Sequence, residues 1–331
     1  MAFKKAEANK IGLKVLVYGI EGCGKTYFQL TAPKVACIDT ETGVQLYVGK
    51  ELELNDGSKH NNLLFVDESA DLAELESNID ALIDGEYDGQ VETLSIDSES
   101  KIYAIQQIAA NEIEERRARR KGGDADDATI SIKQWGRIKL LTLKLQQAKI
   151  ALSAKGINII SVCHAEEVYT GTGDNRKLVG TKPSCHKTLP YDYDIILEFF
   201  KKEDGDGVKY FCKVKKDRTN VTKEGQIIEN PKFSIWGEPI KSRKGLKESK
   251  NTYRKDIETS TENLVEKTDK AEELAEKLKD IMKKMKVDKN TDAISKIGAL
   301  IKEKGIDIKK LEMQTVEDLT ELVDFAELQV S

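Results

Sequence analysis

Gly19-Ile20-Glu21-Gly22-Cys23-Gly24-Lys25-Thr26 decides how this chain is read. The octet fits the pattern G-x-x-x-x-G-K-[ST] without a mismatch, and it lies where that pattern has a mechanism. Before it, Lys14-Val15-Leu16-Val17-Tyr18 has the length and apolar character of a buried strand; after it a helix is expected. Glycines let successive backbone N–H groups turn inward around phosphate oxygens at the helix N-terminus. Lys25 is placed to reach the outer phosphates, and the Thr26 hydroxyl to take a position on Mg²⁺. Residues 19–27, including Ile20, Glu21, Cys23 and Tyr27, are the expected contacts of a nucleotide, with ATP and Mg²⁺ as the ligands. The rival is a glycine turn carrying a surface lysine.

Outward from the loop, residues 1–240 alternate strand-like and helix-like segments, the pattern of a parallel sheet covered by helices. Further strands are expected at 35–38, 63–66, 92–97, 157–162, 194–200 and 208–214, the last two joined by a Gly-Asp-Gly turn. Helices are expected over 70–84, 101–116 and 133–154, with Gly156 at a helix C-terminus. A magnesium site needs an acidic anchor at the end of a buried strand, and Asp97 fits that place. Its rival role is a helix N-cap.

The order of these elements resembles the RecA-like ATPases, in which the strand after the phosphate-loop helix ends in Asp-x-Glu. Ile38-Asp39-Thr40-Glu41 matches it, and the resemblance implies that Glu41 activates the water attacking the γ-phosphate; a surface turn is the alternative. Ile96-Asp97-Ser98 resembles the end of the family's Walker B strand. His164, closing Ser161-Val162-Cys163, stands where the family carries a polar γ-phosphate sensor, glutamine in RecA itself. Lys213-Val214-Lys215-Lys216-Asp217-Arg218 resembles the segment through which related ATPases reach a neighbouring subunit's γ-phosphate. Lys216 and Arg218 are then the finger candidates, against an ordinary basic turn.

The resemblance spans about residues 11–240, and within the family it is closest to phage-encoded ATP-binding recombination proteins linked to single-strand annealing. That implies an ATPase in the host cytoplasm that forms homo-oligomers, binds single-stranded DNA and works beside a single-strand DNA-binding or replication protein. RecA-like proteins hold DNA on two loops. Arg116, Arg117, Arg119, Arg120 and Lys121 offer the first; the stretch 165–189, with Tyr169, Arg176 and Lys177, the second. A solvated helix end is the alternative for the basic run. Cys163-His164 and Cys185-His186 also raise a zinc site, against a buried cysteine beside an active-site histidine.

Composition bounds the rest. The 53 basic and 58 acidic side chains leave a net charge of −5, so a globally basic nucleic-acid coat is excluded and any such contact is local. No stretch approaches the ~18 consecutive apolar residues of a membrane span. Five scattered cysteines form no paired framework, which fits a reducing, cytoplasmic setting. All five, with both tryptophans and all three histidines, precede residue 240.

The expected organisation is an α/β RecA-like core with a mostly parallel sheet (1–240), a polar linker (241–258) and a charged helical module (259–331) opened by a Thr259/Glu262 capping box. In the module Ala271, Leu274, Leu278, Ile281 and Met285 form a narrow seam. Two rival functions remain at this stage. One is a small-molecule or nucleotide kinase with 165–189 as its lid. The other is a non-catalytic nucleotide-dependent scaffold or loader recruiting partners through the module.

Overall fold

The computed structural model describes residues 5–54, 57–205, 207–243, 245–249 and 253–330. Asp206 of the expected Gly-Asp-Gly turn, and residues 244 and 250–252 of the expected linker, lie outside them. The chain divides into two compact units, Met1–Asn251 and Thr252–Ser331.

Among the described residues, the first unit is built on a nine-stranded sheet. Its parallel strands are β1 (Lys14–Gly19), β2 (Val35–Asp39), β5 (Leu63–Asp67), β6 (Thr93–Asp97), β7 (Asn158–Thr170) and β9 (Ile195–Asp204). They run in the order β9-β1-β7-β6-β2-β5, and β10 (Gly207–Asp217) and β11 (Ile227–Glu229) extend the β9 edge antiparallel. A separate small hairpin pairs β3 (Leu52–Glu53) with β4 (Lys59–His60). Alternation along each central strand feeds two cores. Val15 and Val17 of β1 pack on one face with Phe28, Phe199 and Trp236. Leu16 and Tyr18 pack on the other with Leu75, Ile79 and Leu152. A strand buried on both faces reads as a continuous apolar run, which is why these were legible as strands.

The helices follow local signals. α1 (Lys25–Leu30) starts at the phosphate loop. Asp71 caps α2 (Leu72–Asp84), its carboxylate accepting from the Ala73 and Glu74 amides, and Gly85 closes it. Ser98, not Asp97, is the N-cap of α3 (Glu99–Arg120). Ser131 caps α4 (Ile132–Lys155), which Gly156 ends at φ 96°. A short α5 (Glu238–Lys241) closes the expected first domain and reaches only the first residue of the expected linker.

Two expectations change here. The basic run 116–121 is the last turn and cap of α3 rather than a loop. Helical i,i+3 and i,i+4 spacing lets Glu112, Glu114 and Glu115 pair with Arg116, Arg117 and Arg119, carrying the helix through. The stretch 165–189 is likewise ordered: β7 continues to Thr170 and pairs antiparallel with β8 (Lys177–Pro183). Val168-Tyr169-Thr170 and Leu178-Val179 are strand-favouring residues, and Gly171 makes the turn at φ 80°. A Cβ there would lie 2.3 Å from the Asn175 carbonyl oxygen, so only glycine fits.

A buried polar network sits beneath β7. Lys149 of α4 pairs with Glu99, the first residue of α3, and both side chains are almost fully buried. Ser161 donates to Glu99 at 2.8 Å, and Lys149 donates to the Tyr193 hydroxyl at 3.2 Å. These bonds compensate two desolvated charges and tie α3, α4 and β7 together.

The second unit is helical: α6 (Tyr253–Val287), α7 (Thr291–Glu303) and α8 (Val316–Val330). Its core holds Ala271, Leu278, Met285, Ile297, Leu319 and Leu322. The expected capping box does not open a helix, because α6 already begins at Tyr253 and Thr259 is interior. Thr315 does open α8, its hydroxyl accepting from the Asp318 amide at 3.1 Å. No helix among the described residues is long and apolar enough to cross a membrane.

Lys149→Met leaves Glu99 buried without its counter-charge and is expected to cost about 3–5 kcal/mol in urea unfolding. Adding Glu99→Gln removes the orphaned charge and should restore more than half of that loss. Equal destabilisation of the single and double variants would show that packing, not charge, dominates at Lys149.

Candidate nucleotide-binding site

Parallel register brings the ends of four strands to one edge of the sheet. Gly19 lies opposite His164, Asp97 opposite Val162, and Asp39 opposite Asp97. A cleft of about 1240 Å³ opens there, lined by the phosphate loop, Thr26, Tyr27, Glu41, Asp97 and His164. Gly22 at φ 61° and Gly24 at φ 92° hold the loop in the left-handed region, which a side chain would strain. Lys25 Nζ folds back onto the Gly19 and Ile20 carbonyl oxygens at 2.9 and 2.6 Å. Cys23 is buried beneath the loop, donates to the Ile20 carbonyl, and burial pushes its thiol up, so it is not an activated nucleophile.

Asp97 closes β6 with one carboxylate oxygen accepting from Thr26 Oγ1 at 2.9 Å and from Gln29 Nε2 at 2.6 Å. Burial raises its pKa to about 6; the Thr26 hydrogen bond opposes the shift, and the Glu41 charge adds to it. Ser95 donates in turn to Gln29 Oε1, fixing the amide. Sequence reasoning missed Gln29; its one signal was an amide on an otherwise apolar helix face three residues after Thr26. A desolvated carboxylate beside a hydroxyl is a hard-oxygen donor set, and it fits Mg²⁺ shared with phosphate oxygens and water.

Glu41 is presented by a turn that Asp39 builds. The fully buried Asp39 carboxylate accepts from the backbone amides of Glu41 at 3.3 Å, Gly43 at 3.2 Å and Val44 at 2.8 Å. The first acid of Asp-x-Glu is therefore structural, and the second faces the cleft. Glu41 Oε1 accepts from Ser98 Oγ at 2.6 Å and lies 2.7 Å from His164 Nε2. A carboxylate only accepts, so Nε2 carries the hydrogen in this pairing. Ser100 accepts from the His164 amide at 2.9 Å and donates to the Ser184 carbonyl at 2.6 Å, which steadies the strand end.

The structure thus brings Lys25, Thr26, Glu41, Asp97 and His164 together. Lys216 and Arg218 are not among them. Lys216 pairs in register with Ile196, near the start of β9, whereas the loop lies beside Phe199. Their contacts are the Pro190 and Tyr191 carbonyls and the Asp194 carboxylate. Cys163 is buried in the core, on the face opposite the cleft-lining His164. Among the described residues no group of three or more His, Cys, Asp or Glu side chains is placed to hold a metal ion, so the zinc reading falls. Arg176 stacks on the Tyr169 ring, 3.8 Å from its centroid, and Lys177 starts β8. The cleft also gathers Lys101, Lys201, Tyr210 and Lys232, which lie on four separate segments and carry no local motif.

A phosphate loop at the carboxyl edge of a parallel sheet, with a buried acid beside its threonine, defines a P-loop nucleotide-binding protein. The chain matches the AAA domain family over residues 11–225 and belongs to that family of P-loop ATPases. A comparison with curated proteins gave no match.

The raised Asp97 pKa has a stability consequence. Stabilisation by the protonated form is fully present below about pH 4 and is lost as pH rises through about 6. The nucleotide-free protein should then be less stable at neutral pH than Asp97→Asn, by about 3 kcal/mol at most. In paired urea titrations the difference should open between pH 4 and pH 6. The same variant should lose the thermal stabilisation that Mg²⁺ adds to nucleotide binding. A variant less stable than wild type at neutral pH would refute the desolvation account.

Proposed function

We propose that this chain is a Mg²⁺-dependent, RecA-like ATPase acting on single-stranded DNA in phage-type recombination, annealing or replication. The observation that carries the ATPase reading is the convergence of Lys25, Thr26, Asp97, Glu41 and His164 on one cleft. Lys25 and the loop amides would hold the phosphates. Thr26 and Asp97 would hold Mg²⁺, which when bound neutralises charge on the phosphate oxygens. Glu41 would release its contact with His164 to orient the lytic water, accepting its proton at Oε1. His164 would then be available to the γ-phosphate.

The DNA reading rests on continuity. α3, ending in Arg116, Arg117, Arg119, Arg120 and Lys121, begins two residues after Asp97. The β7–β8 hairpin, with Tyr169, Arg176 and Lys177, is the outward extension of the strand bearing His164. Each basic element is a rigid extension of a cleft-lining strand end, which supports nucleotide state as the control of DNA affinity. Three of the arginines are shared with glutamates, so their phosphate contacts would require exchange of surface ion pairs worth at most about 1 kcal/mol each. A homo-oligomer is part of this reading, since Lys216 and Arg218 serve a γ-phosphate only on a second copy. The helical unit is proposed as the contact for a single-strand binding or replication protein.

Steady-state ATP hydrolysis should rise with single-stranded DNA, the increase fading at high salt. Lys25→Ala should abolish turnover. Glu41→Gln should lower it at least 100-fold while nucleotide affinity stays within about threefold. Turnover that responds only to a small phosphate acceptor would favour a kinase, and ATP binding without turnover a nucleotide-dependent scaffold.

A further inference from the structure

Two strands run past the parallel sheet and cover the phosphate loop. β9 meets β1 at Phe199, opposite Gly19, and continues for five residues beyond it. β10 returns antiparallel, with Lys201 directly opposite Tyr210. Period-two alternation divides this hairpin into two faces. Phe200 and Phe211 stack on the outer face with rings 5.5 Å apart, and Lys202 lies over both. Leu197, Phe199, Cys212 and Val214 point inward and are buried in the core beside Cys23 and Phe28. Lys201 and Tyr210 share that inward face, but they stand beyond the core, over the loop.

Their positions are specific. A Cβ built on Gly22 would lie 3.8 Å from Lys201 Nζ, and one on Gly24 would lie 3.6 Å from Tyr210 Cδ1. The hairpin therefore places an ammonium over one loop glycine, Gly22, and a ring over the next, Gly24. Lys201 has no ion-pair partner among the described residues, whereas Lys14, Lys149, Lys182 and Lys215 all have one. An unneutralised cation held against a nest of backbone amides is a site for an anion.

We propose that Lys201 is a phosphate-binding residue of the nucleotide site, supplied by the same chain and acting across the cleft from Lys25. The inference rests on the nucleotide-binding reading above and adds to it. Two cations in one chain flank the phosphates, so tight nucleotide binding does not wait for a second copy; a finger from a neighbouring chain would add to turnover alone. Lys201 is a point charge on a flexible stem, so it tolerates arginine but not a neutral side chain.

The test is equilibrium binding of MgATP, MgADP and adenosine at protein concentrations where the chain is monomeric, checked by light scattering. Lys201→Ala should weaken MgATP about tenfold or more, weaken MgADP less, and leave adenosine unchanged. Lys201→Arg should stay within about threefold of wild type. Lys202→Ala, one residue along on the outer face, should bind as wild type does. Wild-type binding that Lys25→Ala abolishes but Lys201→Ala leaves within twofold would overturn the assignment while sparing the nucleotide site. No MgATP binding by wild type would instead sink the site reading itself. Equal weakening of MgATP and adenosine by Lys201→Ala would mean a distorted cleft, not a lost phosphate contact, and would also overturn it.

Discussion

Parallel pairing of β7 with β1 on one flank and β6 on the other determines where each reactive group emerges. It sets Gly19 beside His164 and Asp97 beside Val162, so the loop, the acid and the histidine end at one level. A slip of one residue would turn Asp97 or His164 to the opposite face and bury a charged or polar group in a hydrocarbon layer. Two cores guard against the slip. Ile160 and Val162 belong to one, Ile159 and Cys163 to the other. Only one register satisfies both, so the geometry of the cleft is a by-product of core packing.

The cleft concentrates acid on the β2–β6 side and base on the β9–β10 side. Asp39, Glu41 and Asp97 lie within a few residues of adjacent strand ends, and each is handled differently. Asp39 is satisfied by three backbone amides and contributes only shape. Asp97 is buried, and burial raises its pKa even though Thr26 and Gln29 both donate to the carboxylate and oppose the shift. Glu41 is half-exposed and held by Ser98 and His164, a pairing that a competing anion near His164 would loosen. Lys25 bonds to loop carbonyls, and Lys201 has no ion-pair partner among the described residues. A ligand carrying both phosphate and a divalent cation answers all of these groups at once, and neither part alone does.

How much of this the sequence disclosed depends on whether the signal was local. The phosphate loop, the continuous apolar runs of β1 and β7, and the glycine ending α4 are each carried by neighbouring residues, and all were legible. Asp97 was legible as a strand-end acid, yet its competing role as a cap could be judged only once Ser98 was seen to take it. Long-range groupings were silent. Lys201 reaches the loop through the pairing of β9 with β1, some 180 residues apart in sequence, and Gln29 matters because Ser95 and Asp97 sit across from it. The stretch 165–189 was misjudged as a loop because its glycines and charges masked strand-favouring residues between them. The basic run after Glu115 was misjudged for the converse reason: arginines are good helix formers, and the preceding glutamates supply partners one turn back.

The same continuity that misled the sequence reading gives the site its reach. A flexible loop after Asp97 or His164 would absorb a small displacement within a few residues. Here each is followed by an ordered element instead: a 22-residue helix after Asp97-Ser98, and a strand that runs six residues past His164 into a paired hairpin. Ser100 joins the two, since its hydroxyl bonds both the His164 amide and the Ser184 carbonyl at the base of the hairpin. Below them the Glu99–Lys149 pair anchors the start of α3 in the core. If nucleotide binding displaces the strand ends as the proposed function requires, the roughly 33 Å length of α3 would carry a sub-ångström shift about that buried anchor to a larger one at its tip. On the proposed function, the charged tip of α3 and the hairpin would move as levers with a shared fulcrum, without remodelling of the sheet.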